Sequence, residues 1–176
     1  MNNTQLKWLV IETRYGCAKK AADLLARAGI QTYLPLTRYA FDVGEKIKSV
    51  TRPLFDSWIF VKISTKEEEQ EVLSTHGVIT FLYWRDQFAV IDEEEIQMIR
   101  QFTSNFTSVE LEKSGVGALN PRFPARASII VEENGEVNMS TKFIKAVLPG
   151  LGYTLVSETR EVNLNVLNPR IQPIMR

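Results

Sequence analysis

Residues 53–62 read Pro-Leu-Phe-Asp-Ser-Trp-Ile-Phe-Val-Lys, a short apolar run carrying three large rings, Phe55, Trp58 and Phe60. As a strand, the run sends alternate side chains to opposite faces. Trp58 and Phe60 then share one face, and Ile59 and Val61 share the other. Ile59 and Val61 suit an aliphatic core. The two aromatics opposite either meet a second layer of the same domain or await a partner protein.

On the N-terminal side, Lys7–Thr13 (Lys-Trp-Leu-Val-Ile-Glu-Thr) is apolar and β-branched, as expected for a buried strand. Arg14-Tyr15-Gly16 ends it, and Cys17, Ala21, Leu24 and Ala28 then fall at helical spacing. Gly29 occupies the position of a left-handed C-cap. A second strand is expected over Ile30–Leu36, at an edge or ending there because Pro35 lacks an N–H. Residues 37–52 form a basic hairpin or a mobile loop around Gly44, with Tyr39 and Phe41 among the charges.

On the C-terminal side, Thr65-Lys-Glu-Glu68 has capping-box spacing and opens an acidic helix to about Ser74. Strands are expected over Val78–Tyr83 and Gln87–Ile91. Asp92-Glu-Glu-Glu95 starts a last helix, with acids in its first turn and Ile96, Met98 and Ile99 on its apolar side. Strands and helices in this order predict an α+β sandwich with an antiparallel sheet over residues 1–104. Residues 105–121 lack periodicity, contain Gly115 and Gly117, and are expected to be a linker. Over residues 122–176, strands at Ala127–Glu132, Lys142–Leu148, Tyr153–Ser157 and Val162–Leu167 predict a small β-barrel, with turns at Asn134-Gly135 and Pro149-Gly150.

Charge is segregated although the 21 basic and 21 acidic residues cancel. Lys7–Lys62 holds ten Lys/Arg against five Asp/Glu, and Ile63–Ser104 holds three against nine. A basic face for a polyanion is one reading, and two solvated faces is the other. Cys17 is the only cysteine, no segment has the length of a membrane helix, and the N-terminus has no signal-peptide pattern. These features fit a reducing cytoplasm. No metal-ligand cluster, phosphate-cradling glycine loop or nucleophile elbow is present, so neither an enzyme nor a cofactor is expected. The carboxylate runs at 67–71 and 92–95 lie at helix starts.

Four segments together resemble the NusG family of transcription elongation factors: Lys7-Trp-Leu-Val-Ile-Glu-Thr-Arg-Tyr-Gly16, Gly29-Ile-Gln-Thr-Tyr-Leu-Pro-Leu36, Arg52-Pro-Leu-Phe-Asp-Ser-Trp-Ile-Phe-Val61 and Thr75-His-Gly-Val-Ile-Thr-Phe81. The resemblance implies a NusG-type N-terminal domain and a C-terminal barrel of KOW type. The divergence resembles the specialised branch containing RfaH and the UpxY antiterminators of polysaccharide operons. The family's first domain grips the clamp helices of bacterial RNA polymerase and suppresses pausing and termination. The matching positions are Phe55, Trp58, Phe60, Phe81, Ile96 and Ile99. The specialised branch also touches non-template DNA in the transcription bubble, which implicates Arg14, Lys20 and His76, with Tyr15 and Lys19 beside them. The family's second domain recruits a ribosomal protein or the termination factor Rho.

Three departures from the family pattern stand out. Asp56 replaces a proline, and Glu68-Glu69-Gln70-Glu71 occupies the place of a His-Thr-rich segment that contacts the opposite side of the polymerase cleft in RfaH-type members. Residues 122–140 lack the glycine spacing of a KOW hairpin, while Lys145–Ser157 resembles the second half of such a barrel. The rival reading is a free-standing RNA-binding or ribosome-associated module, favoured by Tyr33, Tyr39 and Phe41 among basic residues.

Overall fold

The computed structural model describes residues 5–44, 46–84, 86–113, 128–133, 142–159 and 174–175. It divides into two compact units, Met1–Pro35 with Phe55–Glu93, and Leu36–Leu54 with Glu94–Arg176.

The first unit is built on β1 (Lys7–Thr13), which pairs antiparallel with β5 (Trp58–Ile63). β2 (Gln31–Tyr33) adds to the outside of β5, giving the order β2-β5-β1-β6, where β6 is Val78–Phe81. β2 is thus an edge strand and stops before Pro35, as a residue without an N–H requires. Helix α1 (Ala18–Arg27) begins at its N-cap Cys17, and Gly29 follows it at φ +84°. That left-handed conformation is cheap only for glycine. Leu9, Ile11, Ile59, Val61 and Ile63 pack with Ala18, Ala21 and Leu25 into an aliphatic core on one face of the sheet.

α2 (Lys66–Ser74) opens with the expected capping box. The Glu68 amide donates to Thr65 Oγ1 at 3.2 Å, and Glu68 Oε2 accepts from the Thr65 amide at 2.9 Å. The expected strands over 78–83 and 87–91 are each broken in two. After β6 come β7 (Tyr83–Trp84), β8 (Gln87–Phe88) and β9 (Val90–Ile91). At the breaks, the Leu82 amide donates to the Val10 carbonyl and its own carbonyl accepts from the Ala89 amide, both at 2.8 Å. These bonds let β9 return to β1 while β7 and β8 form a separate short hairpin.

The second unit contains the hairpin β3 (Leu36–Val43) and β4 (Lys46–Pro53), so residues 37–52 are a hairpin, not a loop. Helix α3 (Glu93–Asn105) is followed by β10 (Glu110–Lys113). β10 corrects the expected linker, because residues 110–113 pair with β13 (Tyr153–Thr159). With β11 (Ser128–Glu133), β12 (Lys142–Leu148) and β14 (Ile174–Met175), they form a five-stranded sheet in the order β10-β13-β12-β11-β14. The expected strand at 162–167, the turn at 134–135 and the linker glycines lie outside the described residues. α3 is tied to this sheet's β12–β13 turn, where the Gly150 amide donates to Glu95 Oε1 at 2.6 Å.

Candidate functional site

Alternation along β5 places its aromatic residues as expected. Phe60 stands opposite Val10 and Trp58 opposite Glu12, on the face away from the α1 core. The 54–57 turn folds Phe55 back over this pair. Its ring stacks on Trp58 at 5.4 Å and meets Phe60 edge-on at 5.6 Å. Tyr33, from the edge strand, stacks on Phe60 at 6.1 Å. One end of the face is polar: Glu93 Oε2 accepts from Trp8 Nε1 at 2.7 Å and from Lys62 Nζ at 2.8 Å. The lysine also lies 5.5 Å from the centre of the Trp8 ring. Sequence reasoning did not single out this trio, although Trp8 and Lys62 are facing partners in the β1–β5 register.

An uncovered ring surface was expected, and the structure corrects that. Phe55 is 4% exposed, Phe60 is 0% exposed and Trp58 is half-buried. The rings partly cover each other, which withdraws apolar area from water without a partner. Phe81 does not join them. It stands opposite Ile11 and belongs to the aliphatic core on the other face, with Phe88 against it at 4.9 Å. The face of Phe81 is set by its register opposite Ile11, which counting along its own strand does not give. Ile96 and Ile99 are fully buried on α3, within the second unit.

The basic positions come together more closely. The Arg14 amide donates to the Gly77 carbonyl at 2.8 Å, holding the 14–16 loop against the 75–77 turn. Gly77 makes this approach possible: its φ is +94°, and a Cβ there would lie 2.9 Å from the Cβ of Cys17. Arg14, Tyr15, Lys19, Lys20 and His76 are all exposed, Tyr15 at 91%. A projecting ring among cations suits stacking on an unpaired base beside phosphate contacts.

Glu68 is engaged in capping α2. The Ser64 amide donates to Glu68 Oε2 at 2.7 Å. Hydrogen bonds from the Ser64 and Thr65 amides hold its carboxyl below the usual glutamate range. Among the described residues no group of three or more His, Cys, Asp or Glu side chains could hold a metal ion, and no helix is long and apolar enough to cross a membrane.

Residues 6–100 match the family described as transcription termination factor NusG. This chain belongs to the NusG family. It is a NusG-family transcription factor with a sheet-rich α+β fold, and proteins of this family bind RNA polymerase. A solved structure concerned with domain interaction in Thermotoga maritima NusG aligns over 87% of this chain and 93% of that one, with 15% identity and a TM-score of 0.50. At that identity the likeness establishes the fold. Among proteins with curated descriptions, nothing matches.

Proposed function

We propose that this NusG-family protein docks on the clamp helices of RNA polymerase through the face bearing Phe55, Trp58 and Phe60, and that docking suppresses pausing and termination. The observation that carries this reading is the three-ring cluster, set on the sheet face opposite the aliphatic core. A few large aromatics dominate the energy of many interfaces. Because Phe55 and Phe60 are buried, docking requires a state that exposes them, and apparent affinity falls with the fraction of chains in that state. Arg14, Tyr15, Lys19, Lys20 and His76 would then hold non-template DNA in the bubble. Phe81 packs in the aliphatic core and contributes by supporting the sheet. Ile96 and Ile99 are fully buried within the second unit and are left out of the proposed surface.

The protein acts without enzymatic chemistry or a cofactor, in the cytoplasm. It belongs with the RfaH- and UpxY-like antiterminators that serve selected operons such as those for polysaccharide synthesis. The C-terminal sheet is part of a KOW-like barrel that recruits a ribosomal protein or Rho.

Transcription in vitro on a template with a long leader and a terminator tests the reading. The expected result is shorter pauses and more read-through with the wild-type chain, and neither effect with Trp58→Ala. A fall in read-through would keep polymerase docking and reverse the direction of the effect. No change, together with salt-sensitive RNA binding in the absence of polymerase, would favour the RNA-binding module.

A further inference from the structure

A cavity of about 560 Å³ opens onto the aliphatic core of the first unit, on the sheet face opposite the three-ring cluster. Leu9 and Ile63, both buried in that core, form its floor. Lys7 stands directly opposite Ile63 in the β1–β5 register and leaves β1 from the same face as Leu9. The β7–β8 hairpin supplies an aromatic wall. Phe88 packs against the core, its ring centre 4.9 Å from that of Phe81. Tyr83 is the facing partner of Phe88, with ring centres 5.1 Å apart, and is 57% exposed. One ring is thus held open to solvent by a second that is anchored in the core.

The polar lining carries both signs of charge. Lys7 and Asp86 are exposed, Glu69 is half-buried, and all three line the cavity. Asp86 lies in the turn between β7 and β8 at φ +65°, a conformation that Asp and Asn adopt more readily than most side chains. Among the described residues none of the three has an ion pair, so one ammonium and two carboxylates are open to a ligand. The volume lies within the roughly 300–1,000 Å³ typical of small-molecule sites, which combine apolar walls with a few polar groups. The charges narrow the ligand class. A simple organic cation meets Lys7, and a simple anion meets Glu69 and Asp86. An uncharged apolar molecule fills the walls and leaves all three charges unused. A ligand with one charge of each sign beside an apolar body matches both parts of the lining.

We propose that this cavity binds a small zwitterion with an apolar body, of the class of the aromatic α-amino acids. The apolar body lies against Tyr83, Phe88 and the Leu9–Ile63 floor, the carboxylate accepts from Lys7 Nζ, and the ammonium donates to Glu69 and Asp86. The proposal does not depend on polymerase docking. Its test is a titration of the 176-residue chain at neutral pH, followed by the NMR shifts of the Leu9, Tyr83 and Phe88 amides. The probes are L-phenylalanine, phenethylamine (which lacks the carboxylate), 3-phenylpropionate (which lacks the ammonium) and L-alanine (which lacks the ring). L-phenylalanine should give saturable shifts at these amides, and each of the other three should bind about tenfold more weakly or worse, as loss of one charged hydrogen bond or of the apolar body requires. In Lys7→Gln, L-phenylalanine and phenethylamine should bind within about twofold of each other, because the carboxylate has lost its partner. In Glu69→Gln/Asp86→Asn, the advantage of L-phenylalanine over 3-phenylpropionate should vanish in the same way, with Asn retaining the turn at residue 86. Absence of saturable shifts with millimolar L-phenylalanine would overturn the proposal. So would equal binding of L-phenylalanine and either singly charged analogue to the wild-type chain, which would leave an apolar cleft that reads no charge. An advantage of L-phenylalanine that survives in both variants would overturn it as well.

Discussion

The two faces of β5 differ in composition and in what they pack against. One presents Ile59, Val61 and Ile63 to the helices and is sealed in the aliphatic core. The other presents Trp58 and Phe60, stacked with Phe55 and Tyr33 and bounded by the Trp8–Lys62–Glu93 trio. Aliphatic side chains of one size fill space and specify the fold. Broad rings with an ion-bonded border are a composition seen where one protein meets another. Changes on the helix side should therefore register in stability, and a change at half-buried Trp58 on the ring side in polymerase binding.

The largest effect is expected at Ile59. Ile59→Ala opens a cavity in a fully buried site and should cost about 2–5 kcal/mol in denaturant unfolding. A cost below about 1 kcal/mol would mean that this face is not the structural one. Next is Gly77→Ala, which places a Cβ at φ +94° and 2.9 Å from Cys17. Roughly 1–3 kcal/mol should be lost, together with binding of single-stranded DNA as the Arg14 loop separates from the turn. Stability lost with DNA binding intact would uncouple the two.

Glu68→Ala removes one half of the capping box and should cost about 1 kcal/mol. The folded state lowers the pKa of Glu68, so the cap's contribution is complete above the usual glutamate range and is lost as pH falls through the lowered value. The gap in melting temperature between wild type and Glu68→Gln should thus narrow on acidification. A gap constant from neutral pH into that range would remove the charge from the account. The smallest effect is expected for Arg14→Gln on the exposed loop. Stability should move by less than about 0.5 kcal/mol, while the salt slope for single-stranded DNA should fall by roughly 0.7. An unchanged slope would exclude Arg14 as a phosphate contact.

Local signals carried much of the first unit. β1, the Thr65–Glu68 cap, the glycine after α1 and the alternation of β5 each depend on neighbours within a few residues, and each lies where the sequence places it. β10 was hidden because Glu110-Leu-Glu-Lys113 is mostly charged and its partner β13 lies some forty residues away along the chain. The breaks at Leu82 and Ala89 arise from hydrogen bonds to each other and to Val10, which no local pattern encodes. Of the candidate site, the pairing of Trp58 with Phe60 was legible, whereas the backbone bond from Arg14 to Gly77 joins residues some sixty positions apart and was not. The face of Phe81 was not, since it follows from strand register. The burial of Phe55 and Phe60 was not legible either, because alternation says which side a ring leaves from and nothing of what lies over it.

The most direct measurement is the affinity of the Trp58→Ala chain for core RNA polymerase, by fluorescence anisotropy beside the wild type. Trp58 is only half-buried, so the variant should keep its fold and its melting temperature should stay close to wild type. Loss of a central interface ring should weaken binding by about thirtyfold or more, roughly 2 kcal/mol. A folded Trp58→Ala that binds polymerase as tightly as the wild type would contradict docking through the ring face.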